Sequence, residues 1–542
     1  MPPGLTGELK DYVQQLLAYM TNMSHELTET KRELAKVKRE NQALRNEVAQ
    51  LKGLTPQPKF KPSGMLKATD NEDEGKGDGT PGSGQRPGSA KRSKTASLTT
   101  HATRVVKLVH VPRGSVFKGY ADYTVQDVVL QAHNTLVRRE RWCTPEGLER
   151  VAEMPPEYLG SHFGPTLRSF VLHQHHACHV TQPLLLSQLR EWGVDISSGQ
   201  INSLLARDLG GFALAKSAVL AAGLLHSPVI TVDDSGAPHR GDNGYVTVIS
   251  GPAFAAFQST SSKSRINFLR VLQGGTASYL INDRALAYMT EHGVPQALVA
   301  ALCAARGKLG SGPLWLTKLL MGHCVVSEDD CRVVTEGAMW GALAHRMHPQ
   351  QAIVSDGARQ FVLGLHGLCW VHSERLVYKL LPGTPEERLA QQRVRREVWT
   401  LFKQLKRFKT APSPVLATAL EAEFVRVFSQ KTCFEGLNRQ LARLYEHKDD
   451  LLLVLRRPDV PLHTNQSESD VRSYVTMKKV SGGTRDEVGR ACRDTFATLN
   501  KTCRKLGVSF WSYLQDCLTH SGAIAPLPEL IERRMQQLAV TP

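Results

Sequence analysis

Two short apolar runs, each ending in an aspartate, constrain the fold of this chain more than any other feature. The first run is Val229–Asp233, and the second is Ala352–Asp356, which Gly357 follows directly. Short apolar runs rich in β-branched residues are typical of buried strands. If the two strands lie side by side in one sheet, their carboxylates meet at one edge of it. The sequence therefore predicts a sheet with two acids at its edge.

The segments after the first run predict more of this sheet. Gly244–Ile249 and Ala253–Phe257 have the pattern of two further strands, and a helix is predicted from about Lys263 to Leu272. Three strands joined by turns and followed by a helix resemble the opening of an RNase H-like sheet, where the first metal-binding aspartate lies on the first strand. The predicted fold class is α/β, with an RNase H-like mixed sheet and a helical insertion.

A third acid, Glu468, lies at the start of a predicted helix, and Arg472 lies one turn further along the same face. Asn465 and Glu468 are also spaced nearly as in a capping box, in which the glutamate bonds only to backbone donors. That structural role is the alternative to a functional one. Three acids of this kind suit Mg²⁺, because this hard cation takes a few carboxylate oxygens and needs no full protein cage.

The chemistry that uses such acids is phosphodiester cleavage with two divalent ions. Two ions about 3.5–4 Å apart activate an attacking water or 3′-hydroxyl and stabilise the leaving oxygen during in-line displacement. Asp233, Asp356 and Glu468 are therefore candidate catalytic residues and candidate ligands of two Mg²⁺ or Mn²⁺ ions. One site of this kind performs both cleavage and strand joining, because the two reactions differ only in the nucleophile.

The charge balance favours a polyanionic partner. The chain of 542 residues has a formal net charge of +16, and lysines or arginines placed near phosphates release condensed counterions. Basic residues are frequent beyond Glu468. From them we predict four DNA contacts, namely Arg472, Lys478, Lys479 and Arg485. A solvated basic face is the alternative.

The first fifty residues carry a 3-4 repeat of apolar residues. One row starts at Val13 and the other at Leu16, and Asn41 falls in the first row. This pattern is typical of a coiled coil, in which a single buried Asn fixes the register and favours a parallel dimer. An amphipathic helix packed on its own domain is the alternative. We predict that residues 1–52 form a leucine-zipper arm that makes the chain a homo-oligomer, and that residues 53–100 form a disordered linker.

The rest of the chain divides by pattern, and a strand is expected at Val105–Val111. The predicted regions are a small α+β domain at 101–165, a helical region at 166–226, a catalytic domain at 227–510 with a helical insertion at about 377–455, and a helical tail at 511–542.

Within the helical region, Leu184–Trp192 has the pattern of a helix, Gly193 ends it, and Ser197 or Ser198 begins another. This order is the outline of a helix-turn-helix, whose second helix enters a DNA major groove. A helical hairpin inside the core fits the same pattern about as well.

The cysteine pattern and the hydropathy of the chain indicate where in the cell the protein is located. Ten cysteines are scattered without a Cys-x-x-Cys pair, which suits reduced thiols in a cytoplasm. No apolar run approaches the ~20 residues that a membrane helix needs, and Ala215–Leu225 is predicted to be a buried helix. We expect a soluble cytoplasmic protein with no membrane partner.

Several motifs occur in a fixed order along the chain. They are Val232–Gly236, Ser355–Gly357, Leu368–His372, Asn465–Glu468 and, four residues on, Arg472. In this order, and after a leucine zipper, they resemble the IS66-type transposases from about residue 165 to 535.

The resemblance implies that Asp233, Asp356 and Glu468 are the catalytic acids of a DDE site. Asp234 is a neighbour that strand alternation alone cannot separate from Asp233, so this assignment depends on the family pattern. The implied protein is the DNA transposase of a bacterial insertion sequence, working near the nucleoid.

The resemblance also assigns the motif between the second and third acids. Cys369, Trp370 and His372 match a Cys-Trp-x-His motif that we expect to be structural, since two ligands do not make a zinc site. The basic helical stretch that follows resembles an insertion that covers DNA near the cut. Two features depart from the family: residues 100–165 hold only Cys143, where many members have a zinc segment, and an extra segment at about 280–347 separates the first two acids.

The expected function is binding of double-stranded DNA at the element ends, metal-dependent cleavage, and strand transfer into target DNA. The partners implied are a second copy of the chain, through the coiled coil, and accessory proteins of the element. A catalytically silent accessory or repressor protein of the same fold is the alternative. A nuclease without strand transfer fits the three acids equally well, and the zipper, the possible helix-turn-helix and the family resemblance favour transposition over it. A scaffold protein led by the coiled coil leaves the strand-borne acids unexplained.

Overall fold

The computed structural model describes residues 99–540, with gaps at 108–109, 111, 119, 121–124, 126, 146, 156–157, 159–160, 207–209, 308 and 312–326. Upstream it describes Glu29, Glu33 and Val37, each helical and exposed. Apart from these positions, the predicted coiled coil and linker lie outside the described residues.

The strands form one five-stranded sheet and two small hairpin sheets. The strands are, in chain order, β1 (Arg141–Cys143), β2 (Glu149–Val151), β3 (Val229–Gly236), β4 (Tyr245–Ser250), β5 (Ala255–Thr260), β6 (Ser278–Leu280), β7 (Leu309–Ser311), β8 (Ala352–Ser355) and β9 (Leu365–Leu368).

The large sheet has the strand order β5-β4-β3-β8-β9. Strands β3, β4 and β5 form an antiparallel meander, whereas β8 is parallel to β3 and β9 is parallel to β8. Short turns suffice for the meander, but a parallel neighbour requires a crossover connection. The sheet is therefore mixed, and the chain is an α/β protein, as predicted.

Helices cover both sides of this sheet. In chain order they are α1 (Pro165–His176), α2 (Gln182–Glu191), α3 (Ser198–Ala206), α4 (Gly210–His226), α5 (Arg265–Leu272), α6 (Asp283–Glu291), α7 (Gln296–Leu302), α8 (Glu328–Ala342), α9 (Trp370–Tyr378), α10 (Pro385–Thr410), α11 (Pro414–Ser429), α12 (Glu435–Glu446), α13 (Lys448–Leu451), α14 (Leu453–Arg456), α15 (Asn465–Ser481), α16 (Glu487–Leu506), α17 (Phe510–Thr519) and α18 (Leu527–Val540).

Alternate residues of the sheet pack into different cores. Val232 of β3 belongs to the largest core, together with Phe268 of α5. Val248 of β4 packs on the other side, against Val471 and Tyr474 of α15. Because side chains alternate across a strand, α15 covers one face of β3, and α5 with its neighbours covers the opposite face.

The segment between β9 and α15 forms a helical unit with its own core. Phe402 of α10, Phe424 of α11 and Leu441 of α12 are fully buried there, and Trp370 of α9 joins them. The two ends of this unit lie next to each other, since the backbone N–H of Trp370 donates to the carbonyl of Leu462 at 2.9 Å. The chain therefore leaves the sheet region and returns to it at one point.

The extra segment between the first two acids packs on the α5 side of the sheet. Tyr288 of α6 donates to Glu336 of α8 and accepts from Arg265 of α5, each at 2.7 Å. Arg265 also donates to the carbonyl of Arg359, at 2.7 Å. The segment therefore supports the turn that follows Asp356.

The strand predicted at Val105–Val111 is wrong for its described residues. Residues 105–107 and 110 are irregular, and Val106 is 82% exposed. No neighbouring strand is described there to pair with the backbone, and an unpaired segment does not persist as a strand. Of the expected α+β domain, only the β1–β2 hairpin is a regular element within the described part of 101–164.

The predicted helix-turn-helix segment has two helices and a glycine turn. Gly193 has a φ of +82° after α2, and the Ser197 hydroxyl accepts from the backbone N–H of Gln200 at 3.2 Å at the start of α3. Ile201 and Leu205 of α3 are buried. This geometry fits both the DNA-reading hairpin and the core hairpin.

By length and composition alone, the stretch Ser198–His226 is apolar enough to cross a membrane, although it includes residues outside the described part. Its second half, α4, packs against α16 and α18 and buries Phe212, Val219 and Leu224. An apolar helix covered in this way is typical of a protein core.

Candidate active site

Asp233 and Asp356 lie at the same level of two neighbouring parallel strands. The last registered pair of β3 and β8 is Thr231 opposite Val354, and each aspartate is two residues further along. Two residues along a strand return to the same face. The carboxyl ends of β3 and β8 therefore bring the two acids together.

The backbone after β8 fixes the orientation of Asp356. Its Oδ1 accepts from the backbone N–H of Ala358 at 3.0 Å, and the Ser355 hydroxyl accepts from that of Gly357 at 3.1 Å. Gly357 has a φ of +87°, and a Cβ there would lie 2.6 Å from Leu368 Cδ1. A glycine is therefore required immediately after this acid.

Asp233 and Asp234 have different surroundings in the structure. Asp234 forms an ion pair with Lys263 and accepts from Gln360 Nε2 at 2.9 Å. Asp233 lies opposite Val248 in the sheet, so the two share the face that α15 covers. Asp234 thus has a partner on the α5 side, while Asp233 faces the side of Glu468.

The electrostatic surroundings of Asp233 disfavour its charge. Burial raises the pKa of Asp233 to about 6, and the negative charge of Asp356 contributes in the same direction. The backbone N–H of Asp234, which donates to Asp233 Oδ1 at 2.8 Å, and the nearby His372 lower the pKa but do not offset burial. Two acids that repel each other in a partly buried site favour a proton or a cation between them.

Glu468 lies in the first turn of α15, on the face of the sheet that Asp233 shares. His372 Nδ1 is 3.7 Å and Arg375 Nη1 is 3.9 Å from Glu468 Oε1. That oxygen is buried and has no hydrogen-bond partner among the described residues. Thr464, rather than Asn465, precedes the helix, and no side chain caps it. The capping-box alternative for Glu468 is therefore wrong.

His372 connects the three acids electrostatically. Burial lowers the pKa of His372, but contact with Cys369 and the charges of Glu468 and Asp356 raise it above the ordinary value. Since His372 also lowers the pKa of Asp233, it lies near all three carboxylates. The imidazole is placed to neutralise part of their charge.

Cys369 and Trp370 hold the start of α9, which carries His372. Cys369 is fully buried, and its backbone N–H donates to the carbonyl of Ser355 at 2.9 Å. Trp370 Nε1 donates to the carbonyl of Leu451 at 2.8 Å. The motif therefore joins the second strand of the site to the helical unit.

Sequence reasoning missed the residues that fix α15. Asp470 pairs with Lys505 at 2.7 Å and with Lys501 at 3.6 Å, and it accepts from the Ser250 hydroxyl at 2.8 Å. Gln466 Nε2 donates to the carbonyl of Gly251 at 2.7 Å. The pattern of buried and exposed positions on α15 does not reveal these partners, which come from distant parts of the chain.

Comparison with known proteins gives two matches. The family model described as Transposase IS66 family matches residues 361–491. A protein of Sinorhizobium fredii (strain NBRC 101917 / NGR234), which carries the name "Uncharacterized protein y4jO", is 45% identical over 317 residues; these are 58% of this chain and 99% of the relative. The chain belongs to the IS66 transposase family.

The matched segment of this IS66 family member begins after Asp356 and includes Cys369, His372 and Glu468. The family model therefore covers the third acid and the motif beside it. The strand-borne aspartates are outside it, and their placement depends on the geometry described above.

The acids of this IS66 family member have the chemistry of a divalent-cation site, although they are not gathered around one point. In the described part of the chain, no three His, Cys, Asp or Glu side chains are close enough to hold an ion. A bound cation would nevertheless give the unpaired oxygen of Glu468 a partner. It would also favour the charged form of Asp233, whose pKa is raised. Carboxylate oxygens are ligands that Mg²⁺ accepts, and the three acids would have to move closer to hold one ion.

The basic residues predicted to contact DNA are not equivalent in this IS66 family member. Arg472, Lys479 and Arg485 are exposed. Lys478 Nζ instead donates to the carbonyl of Gly236, at the end of β3, at 2.6 Å. Lys478 therefore supports the strand that carries Asp233, and the other three are available to a polyanion.

Proposed function

We propose that this chain is a DDE transposase with an RNase H-like catalytic domain, in which Asp233, Asp356 and Glu468 catalyse cleavage and transfer of DNA strands. The observation that carries this proposal is the position of two aspartates at the same level of neighbouring parallel strands, facing the helix that bears the glutamate. Membership of the IS66 transposase family supports the same reaction class.

The topology of the large sheet supports the RNase H-like assignment. The sequence predicts three strands joined by turns and places the strand of the second aspartate beside the first of them, and the large sheet has both features. The first acid lies on β3, the second follows β8, and the third lies on a helix after β9. Each acid is thus held by a rigid element, as a site that positions a phosphodiester requires.

Asp233, Asp356 and Glu468 would hold the Mg²⁺ or Mn²⁺ ions of this site. When bound, two such ions supply activation of the nucleophile and stabilisation of the leaving oxygen. The turn after β8 keeps the Asp356 carboxylate in one orientation. His372 and Arg375 lie within 4 Å of Glu468 and limit its repulsion with the aspartates.

DNA binding is proposed to use the exposed basic residues of α15 and the turn after it. Arg472 is one helical turn beyond Glu468, and Lys479 and Arg485 continue towards the N-terminus of α16. Contacts of this type position a duplex without reading its sequence. The formal net charge of +16 supports the same partner.

The assembly is proposed to be a homo-oligomer joined through residues 1–52, with double-stranded DNA of the element ends and the target as substrates. Accessory proteins of the element are further proposed partners. Such a protein acts on the bacterial nucleoid in the cytoplasm.

One observation favours a second candidate, a catalytically silent accessory or repressor protein of the same fold. Within the described residues the acids are not close enough to share an ion, and a protein that binds DNA without cutting it needs no closer arrangement. Binding without cleavage is the property that distinguishes the two candidates.

The test is cleavage of labelled DNA that carries the element's ends, with Mg²⁺ or Mn²⁺ and any accessory proteins supplied. Asp356→Asn and Glu468→Gln are expected to bind DNA but not cut it. Asp234→Asn is the matched control and is expected to retain cleavage, because Asp234 pairs with Lys263. Binding without cleavage by the unmodified chain would favour the repressor candidate, and cleavage by both acid variants would contradict the assigned site.

A further inference from the structure

We propose that an open pocket on α10, lined by Gln392, Arg395, Arg396 and Trp399, binds one unpaired DNA base together with its phosphate. The choice of DNA as the source of that base rests on the proposed function. The pocket lies in the helical unit, outside the acidic site.

The four residues project from one face of a rigid helix. Arg395, Arg396 and Trp399 follow Gln392 by three, four and seven positions, which places the four side chains together on an α-helix. The opposite face of α10 is fixed in the core of the helical unit, where Val394, Val398 and Phe402 are buried. The pocket is therefore preformed.

Arg395 is held in this pocket by two aromatic rings and one acid. Its guanidinium carbon is 4.2 Å from the ring centroid of Tyr378 and 5.9 Å from that of Trp399. It also pairs with the buried Glu374 at 2.6 Å. Because Glu374 neutralises its charge, Arg395 contributes a planar surface more than a free positive charge. Planar guanidinium and indole groups are the surfaces on which nucleobases stack.

Trp399 is partly buried and supplies the aromatic wall. Arg396 is exposed and has no acidic partner in the described part of the chain. A ligand with an aromatic ring and a negative charge fits the Trp399 ring and the Arg396 guanidinium, and a nucleotide unit of DNA has both.

The position of the pocket connects it with the acids. Glu374, which holds Arg395, is two residues from His372, and His372 Nδ1 is 3.7 Å from Glu468 Oε1. Within a duplex, a base is stacked on both sides and cannot enter such a pocket. The ligand must therefore be a base that is unpaired or turned out of the helix near the cut.

The charge of α10 suits this substrate. The helix has eight lysines and arginines and three glutamates. Phosphates on either side of an extruded base would therefore meet a basic surface, which strengthens binding in low salt.

The experiment measures equilibrium binding of the full chain, without divalent ions, to two labelled duplexes that differ only by one unpaired base. The unmodified chain is expected to bind the duplex with the unpaired base about tenfold more tightly. Trp399→Ala should remove this preference and leave binding of the fully paired duplex unchanged, and Trp399→Phe should restore most of it. Trp511→Ala, at a distant tryptophan on α17, is the matched control.

Arg396→Gln keeps the test independent of folding, because the side chain is exposed. For the duplex with the unpaired base only, it should reduce the slope of log affinity against log salt concentration by the equivalent of about one phosphate contact. The proposal is overturned if Trp399→Ala and Arg396→Gln leave the preference intact, or if an abasic site in place of the unpaired base binds equally well.

The outcomes separate this pocket from the proposed catalysis. A preference that depends on Trp399, in a chain that never cuts DNA, would refute the transposase reaction and support the pocket. Cleavage that depends on Asp356, in a chain without that preference, would do the reverse.

Discussion

Asp233 and Asp356 are brought to one level of the sheet by a parallel pairing of β3 and β8, although several helices separate them in the sequence. This pairing places two carboxylates of like charge next to each other in a partly buried site. The raised pKa of Asp233 follows from that position. Several measurable properties of the protein depend on it.

We expect the Asp233 carboxyl to destabilise the metal-free protein at neutral pH. A carboxyl with a pKa of about 6 when folded and near 4 when unfolded binds its proton more tightly in the folded state. Its contribution to stability therefore improves as the pH falls from above 6 towards 4, and worsens as the pH rises. Asp233→Asn should raise the free energy of unfolding by about 2 kcal/mol at pH 7.5, with a smaller gain at pH 5.

Chemical denaturation at the two pH values measures this effect. Asp234→Asn is the control, and it should destabilise the protein instead because Lys263 loses its partner. An equal effect of Asp233→Asn at both pH values would contradict the assigned cause.

Mg²⁺ is expected to stabilise the folded chain through the three acids. A ligand that binds only the folded state at about 100 times its Kd adds about 2.7 kcal/mol of stability. The melting temperature should rise with Mg²⁺ in the unmodified protein and much less in Asp356→Asn or Glu468→Gln. An undiminished rise in both variants would place the cation elsewhere.

Asp470 is expected to act as a positioning residue for Glu468. Asp470→Asn removes the buried negative charge that Lys505 and Lys501 approach, which should lower the free energy of unfolding by about 3 kcal/mol. Because α15 loses its attachment to α16, cleavage should slow more than DNA binding weakens. Asp449→Asn, at an aspartate of α13 whose side chain is 92% exposed, is a control for the general loss of a carboxylate. Equal losses in binding and cleavage would indicate a purely structural role.

Trp370 is expected to stabilise the joint between the sheet and the helical unit. Trp370→Phe removes the hydrogen bond from Nε1 to the carbonyl of Leu451 and leaves a cavity among Phe402, Phe424 and Phe428. We expect a loss of about 2 kcal/mol in the free energy of unfolding. Trp511→Phe provides the matched comparison, and similar losses at both positions would contradict a special role for Trp370.

Local patterns predicted much of the region that carries the three acids. β3, β4, α5 and β8 follow from apolar runs and turn residues close to each element, and the start of α15 follows from the polar residues near Glu468. These signals lie within a few residues of the element concerned. The mixed sheet could be predicted because parallel and antiparallel neighbours require different connections.

Partners from distant parts of the chain could not be predicted. Asp233 and Asp234 can be told apart only in the structure, where Lys263 and Gln360 contact Asp234. The capping-box alternative for Glu468 was excluded by Thr464, whose position at the helix start depends on the preceding turn. The strand expected at Val105–Val111 has no pairing partner within the part of the chain that the structure describes, and no local pattern reports whether a partner exists.

The hydrogen bond between Trp370 and Leu462 closes the helical unit at its base. This bond fixes the distance between the two ends of the unit, one after β9 and the other before α15. A change of length in a loop between the helices of this unit would therefore leave the distance between its two ends, and the acids on either side of it, in place.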